Sequence, residues 1–251
     1  MHYFRSRPPK DIAAAIVFLA VIGLLIGSAF WAFRQFRNTP LFVDPERYPI
    51  RGIDISRHNG EIDFEKVAAS GIEFVFIKAS EGTDHQDSSF ARNFEKAKEA
   101  GLTTGAYHFF RFDKDGIEQA GNFLAAVGDK NPDMNLVIDV EKTGNPDNVE
   151  LETVKNRLIS MVDYMNLLGH RVMIYTNWEG YYDYIEDSLP GYPLWICRFR
   201  ENPINAEWTF WQYSHSGDVP GIKGKVDLDA FCGTRKEWEA FLNGALWPYT
   251  E

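Results

Sequence analysis

From residue 52 to residue 176 the chain alternates between two hydrophobic periods, and no other feature narrows its possible folds so far. Short runs rich in β-branched and aromatic residues, at residues 52–56, 72–79, 103–109, 136–140 and 171–176, read as strands. Between them, residues 63–70, 89–100, 115–127 and 151–168 carry helical spacing. Leu151, Val154, Leu158, Met161, Met165 and Leu168 step by three and four until Gly169 stops them. Strands that alternate with helices need crossover connections, so this part predicts a parallel sheet with right-handed βα units. Beyond Asn177 the rhythm changes. Residues 193–199, 208–214 and 225–231 are strand-like, with at most a short helix at 181–188 between them and a terminal helix at 235–242. Five βα units followed by three strands predict an α/β fold, an irregular TIM-like barrel of eight strands. No internal repeat of fixed period is visible.

A different pattern precedes the barrel. Residues 12–33 contain no charged side chain, a run long enough to cross a bilayer as a helix. A cleaved signal peptide is the competing reading, but the run exceeds a typical signal core and no clear small-residue cleavage site precedes Arg34 and Arg37. The expected organisation is a cytoplasmic N-terminus at 1–11, a transmembrane helix at 12–33, a linker at 34–50 punctuated by Pro40, Pro45 and Pro49, and a catalytic domain at 51–251. Five basic groups against Asp11 give the first 37 residues +4, so the chain's net −10 leaves −14 on the remainder. That balance excludes nucleic acid as a partner, because phosphate binding needs a basic face. The 15% aromatic content suits a groove that grips flat ligands.

The chemistry concentrates in Leu136-Val137-Ile138-Asp139-Val140-Glu141. A buried strand runs into two carboxyls at i and i+2, which project to one face at a rim, with a turn at Lys142-Thr143-Gly144-Asn145-Pro146 immediately after. Two acids that close raise the pKa of one of them, and an ionised and a protonated carboxyl together are the equipment for cleaving a glycosidic bond. In parallel barrels the working residues lie at C-terminal strand ends. Asp54 and Ser56, Lys78 and Glu81, Tyr107 and His108, Tyr175, Gln212 and Asp227 are predicted to share that rim with Asp139 and Glu141. For any one of them a packing role is the better single explanation; their joint placement is the signal. His58, His85, His108, His170 and His215 lack metal-binding spacing, and neither a Gly-x-Ser-x-Gly elbow nor a phosphate loop is present, so no metal or cofactor is expected.

Read together and in order, Gly52-Ile53-Asp54-Ile55-Ser56, Phe76-Ile77-Lys78-Ala79-Ser80-Glu81-Gly82, Gly105-Ala106-Tyr107-His108-Phe109, Asp139-Val140-Glu141, Ile174-Tyr175-Thr176, Pro193-Leu194-Trp195-Ile196, Phe210-Trp211-Gln212-Tyr213 and Val226-Asp227-Leu228-Asp229-Ala230-Phe231 resemble the motifs of the glycoside hydrolase family 25 lysozymes. The resemblance spans residues 51–242. It implies cleavage of the β-1,4 bond between N-acetylmuramic acid and N-acetylglucosamine in peptidoglycan. With the apolar run ahead of it, the expected protein is a monomer anchored in a bacterial cell membrane with its catalytic domain outside the cytoplasm. By motif, Glu141 matches the general acid and Asp139 a stabilising carboxylate, expected to stay ionised and keep Glu141 protonated. Asp54 and Asp227 match two further acids of the sugar cleft. Tyr107, Tyr175, Trp195 and Gln212 are candidate sugar contacts, with ordinary barrel packing an equal reading for Trp195 and Tyr175. Acids at i and i+2 are poorly placed to attack from opposite faces of a ring, which favours assistance by the substrate's own N-acetyl group.

The sequence departs from the family at Cys197, Asp229 and Cys232, where a small residue, Asn and Asn are usual. Asp229 is expected to raise the pKa of Asp227, and the two cysteines either pair or remain two free thiols. A reading from another class stands beside the enzyme: a tethered glycan-binding module that keeps the fold without turnover.

Overall fold

The structure is a computed structural model. It describes residues 10–38, 43–199, 203 and 207–244, so the expected N-terminus up to residue 9 and part of the linker lie outside the described residues. Two compact units divide the chain, the first ending at Thr39 and the second beginning at Pro40.

The first unit is a single helix, α1 (Lys10–Asn38). Its segment Ala14–Phe33 is long and apolar enough to cross a membrane, and none of it is buried against protein. Leu24, Ile26, Phe30 and Trp31 are exposed along it.

The second unit is a barrel. Its elements are β1 (Arg51–Ile55), α2 (Phe64–Ala69), β2 (Phe74–Glu81), β3 (His85–Gln86), α3 (Phe90–Glu99), β4 (Thr103–Phe109), α4 (Gly116–Val127), β5 (Leu136–Asp139), α5 (Leu151–Leu167), β6 (Val172–Asn177), α6 (Trp178–Gly180), β7 (Leu194–Cys197), β8 (Phe210–Gly217), β9 (Val226–Phe231) and α7 (Arg235–Leu242). Helices α2, α4, α6 and α7 start where short polar side chains satisfy their first amides. Asp115 Oδ1 accepts from the N–H groups of Ile117 and Glu118, and Thr234 forms a reciprocal capping box with Glu237. Gly101 and Gly169 end α3 and α5 at φ 79° and 82°, a region where a side chain would be strained.

Strands pair in the order β1-β9-β8-β7-β6-β5-β4-β2, and a β1–β2 pairing closes the ring. The eight-stranded barrel expected from the sequence is therefore present, with β3 as a short additional strand against the end of β2. Within the ring all neighbours are parallel except β9, which runs antiparallel to both β8 and β1, while β3 outside the ring is antiparallel to β2. The short helix expected at 181–188 is a turn of α-helix running into a π-helical turn, Tyr181–Ile185. The proline-punctuated stretch before β1 also contributes to packing, since Tyr48 and Ile50 are buried in the core.

Period two along each strand separates two cores. Outward side chains such as Val75, Ile77, Ile138, Ile174 and Ile196 pack beneath the helices. Inward ones form a plug of Phe74, Phe76, Val137, Met173, Trp195, Phe210 and Phe231, joined by Trp238 and Phe241 of α7. The rings are too large to fill the barrel unless neighbouring strands yield space. Gly52 is in register with Phe74, and Gly105 with Phe76, and a Cβ at either glycine would overlap the ring opposite. Gly105→Ala is therefore expected to lower stability by about 1–3 kcal/mol, as overpacking of a filled core does, without changing the fold; urea unfolding of the variant measures it.

Candidate active site

One residue-pair step up each strand from the plug, the inward side chains turn polar. Gly52 gives way to Asp54, Gly105 to Tyr107, Val137 to Asp139, Met173 to Tyr175, Trp195 to Cys197 and Phe210 to Gln212. On β9 the same step runs backwards, from Phe231 through Asp229 to Asp227, because that strand is antiparallel. Asp227 was assigned by a rule about C-terminal strand ends, yet it sits near the start of its strand. Reversal of β9 brings it to the same rim, directly across from Asp54 in the ladder.

Above the plug opens a cleft of about 690 Å³. All eight predicted site residues line it: Asp54, Tyr107, Asp139, Glu141, Tyr175, Trp195, Gln212 and Asp227. Strand β5 ends at Asp139, and Glu141 lies beyond it. Glu141 still faces inward because the ladder continues one residue further: Val140 N–H donates to Tyr175 O (2.8 Å) and Thr176 Oγ1 to Val140 O (2.6 Å). Asn145, from the turn read in the sequence, donates to Glu141 O at 2.9 Å and pins the loop.

Other rim candidates do not reach the cleft. Ser56 caps a 3₁₀ turn over Arg57–Asn59, and Lys78 is paired with Glu81 at 2.8 Å. His108 points into the outer core, where its ring nitrogens meet Ser80 Oγ (2.8 Å) and Gln119 Oε1 (3.2 Å).

Among the candidate sugar contacts, Gln212 is committed on both sides of its amide. It accepts from Tyr175 OH at 2.9 Å and donates to Asp54 Oδ2 at 2.7 Å. Trp195 is only 2% exposed, stacked on Phe76 with ring centroids 4.4 Å apart and bonded through its indole N–H to Asp229 Oδ1 at 2.9 Å. Tyr107 is partly exposed and presents ring surface to the opening.

Sequence reasoning missed a wall of the cleft. Trp178 directly follows β6, and Arg198 and Phe199 directly follow β7, so the rule applied elsewhere would have found them. The Arg198 guanidinium lies 4.3 Å from the Trp178 ring centre, Trp178 stacks on Tyr181, and Phe199 meets His215 at 4.7 Å. Cys197 also lines the cleft; both it and Cys232 are free thiols rather than a disulfide.

Electrostatically the cleft is a set of acids taken out of water. Burial raises the pKa of Asp139 well above the carboxylate range, the charge of Glu141 adds to it, and the Lys78 ammonium opposes. Glu141 is raised by burial and then by Asp227, again opposed by Lys78. Burial brings Asp227 to about 6. The sequence reading keeps Asp139 ionised and Glu141 protonated; in the structure burial raises both. Asp139 is 7% exposed whereas Glu141 is partly open to solvent, so desolvation bears more heavily on Asp139. Its buried Oδ1 has no hydrogen-bond partner among the described residues.

A barrel of this topology with its acids gathered over one cleft matches a known family. The model for glycosyl hydrolases family 25 matches residues 53–222. The chain belongs to glycosyl hydrolase family 25. It is 35% identical to the autolytic lysozyme of Clostridium acetobutylicum over 184 residues, covering 72% of this chain and 56% of that protein. It is also 35% identical to YegX of Escherichia coli, an uncharacterized protein, over 86% of this chain and 81% of the relative. The solved structure of a family 25 glycosyl hydrolase from Bacillus anthracis superposes with a TM-score of 0.74 at 34% identity, covering 80% of this chain and 96% of that one. This family 25 member is a glycosidase.

The histidine that the barrel buries gives a pH prediction. Burial lowers the His108 pKa from 6.5 to about 4. The folded state therefore binds fewer protons than the unfolded chain between those values, and stability falls as pH drops through that window. The expected loss is about 3 kcal/mol at most, and His108→Gln should remove that component when urea unfolding is followed from pH 7 to pH 4.

Proposed function

We propose that this glycosidase hydrolyses the β-1,4 bond between N-acetylmuramic acid and N-acetylglucosamine in peptidoglycan, with Glu141 as general acid and Asp139 as the carboxylate that stabilises the reacting centre. The observation that carries the reading is the pair itself: both side chains open on one cleft, and Asp139 holds a buried oxygen without a partner. Family membership and the resemblance to an autolytic lysozyme support the substrate class.

The electrostatics suggest how the two acids exchange roles. In the empty cleft burial keeps a proton on Asp139. A bound sugar brings an N-acetyl N–H to that unpartnered oxygen, and positive charge develops beside it as the bond breaks. Both favour the Asp139 carboxylate, which leaves Glu141, raised by burial and by Asp227, as the acid that protonates the departing oxygen. Attack then comes from the substrate's own N-acetyl oxygen, which forms a bond to the anomeric carbon as the glycosidic bond breaks. Water later opens that ring, with Glu141 taking back a proton. Two inversions give net retention. Tyr107 and the Trp178 wall supply ring faces for the sugars, while Asp54 and Asp227 line the floor.

Helix α1 supports a tether. Its exposed apolar surface fits a single membrane span that holds the barrel on the extracytoplasmic side, at the cell wall or in the periplasm, as a monomer. Neither the chemistry nor the charge of the barrel calls for a cofactor or nucleic acid.

Glu141→Gln is expected to lose about 10²–10⁴-fold in turnover while still folding and binding glycan, measured as reducing ends released from purified cell wall. Activity close to wild type would remove the assignment, and a wild-type chain that binds wall without releasing reducing ends would remove the hydrolase reading. NMR of the first-formed anomer should show retained configuration; inversion would reject assistance by the N-acetyl group.

A further inference from the structure

The plug meets the cleft at Asp229, an acid no step above has used. It is fully buried, at 0% exposure, and sits on the inward face of β9 two residues from Asp227. One oxygen, Oδ1, accepts the Trp195 indole N–H. The other, Oδ2, is sealed from solvent and receives no bond from any N–H or hydroxyl. An ionised carboxylate left in that condition is strongly disfavoured, because nothing replaces the hydration it has lost.

The neighbour that can satisfy it is Asp54. In the antiparallel β1–β9 pair Asp54 stands across from Asp227 and Gly52 from Asp229. Asp54 and Asp229 are thus diagonal neighbours on one face, within side-chain reach, and the charge of Asp229 bears on Asp54. Asp54 Oδ2 is already occupied by the Gln212 amide, and that amide is oriented by Tyr175. Two carboxyls that close in a buried space cannot both ionise freely.

We infer that Asp229 is a positioning residue that shares a single proton with Asp54, so that the pair carries one proton and one charge at the floor of the cleft. The shared proton gives the sealed Asp229 oxygen a partner, while Trp195 and Gln212 each donate to one of the other oxygens of the pair. The sequence reading expected the charge of Asp229 to act on Asp227; it acts on Asp54, which it raises together with burial and Asp227. The titratable groups that bear on the pair are Asp227, on the same strand as Asp229, and Asp139, Tyr107, Tyr175 and Cys197 on other strands. All are acids or neutral at pH 7, and none of them supplies a cation to hold a second charge.

The inference deepens the reading of this cleft as the sugar site, but its test needs no substrate, so the two can fail separately. Full-length protein in mild detergent is unfolded with urea from pH 5 to pH 7.5. A carboxyl that keeps its proton in the fold and releases it on unfolding makes stability fall as pH rises, with a slope set by the number of protons retained. Asp229→Asn and Asp54→Asn each preserve shape and can donate an amide N–H across the pair. Each is expected to reduce the wild-type slope by one proton, and the double variant by no more than that same one. Should Asp229→Asn fail to fold, Asp54→Asn reads the same proton from the other side. A slope unchanged in the single variants would overturn the inference, as would a double variant that removes two protons, because the acids would then be ionised or protonated independently.

Discussion

The aromatic plug is what every other feature of the barrel rests on. Phe74, Phe76, Trp195, Phe210 and Phe231 meet edge-on, apart from the stacked Phe76–Trp195 pair, with centroids 4.4–5.7 Å apart, and α7 closes them from below with Trp238 and Phe241. This filling decides how far down the barrel water can reach. The side chains one step above it are at once inward-facing and next to an apolar mass. Acids at those positions are desolvated before any substrate arrives, and for Asp54, Asp139, Glu141 and Asp227 burial is the first cause of their raised pKa values. The plug and the acid cluster are two consequences of the same period-two geometry.

The acids are distinguished by what surrounds them rather than by residue type. Asp139 has an empty oxygen and a glutamate beside it, Asp54 is tied to Gln212, and Asp229 is tied to Trp195. The Lys78 ammonium, itself paired with Glu81, is the opposing charge for both Asp139 and Glu141. Burial makes the acids of such a cleft hold protons more tightly than exposed carboxylates do, and a ligand that supplies N–H groups or positive charge opposes that. That behaviour suits the proposed exchange of roles between Asp139 and Glu141, in which binding and ionisation are linked.

The sequence was most informative where local patterning and tertiary placement coincide. Strand after strand, an apolar run ending in a polar residue was enough to mark Asp54, Tyr107, Asp139, Tyr175 and Gln212, because position along a strand of a closed barrel sets height above the plug. Legibility ended where a contact crosses between strands distant in the chain. Gln212 looked like a free amide, yet its bonds run to Tyr175 and Asp54, residues 37 and 158 positions away. Trp195 looked like a stacking platform, and its ring proved to be part of the plug. The wall of Trp178, Arg198 and Phe199 follows two strand ends in plain view, but it is assembled by side chains from separate loops.

By itself, then, the sequence determined the barrel, the helix ahead of it, the family and the acids at the rim. Those features follow from hydrophobic period, turn chemistry and motif order, all of which are local. Only the tertiary structure decided which acids are taken furthest out of water, which aromatic rings face solvent, and that β9 runs against its neighbours to bring Asp227 opposite Asp54. Proton affinity depends on the water and charges within a few ångströms in space, and those neighbours come from strands that the chain connects only by closing the ring.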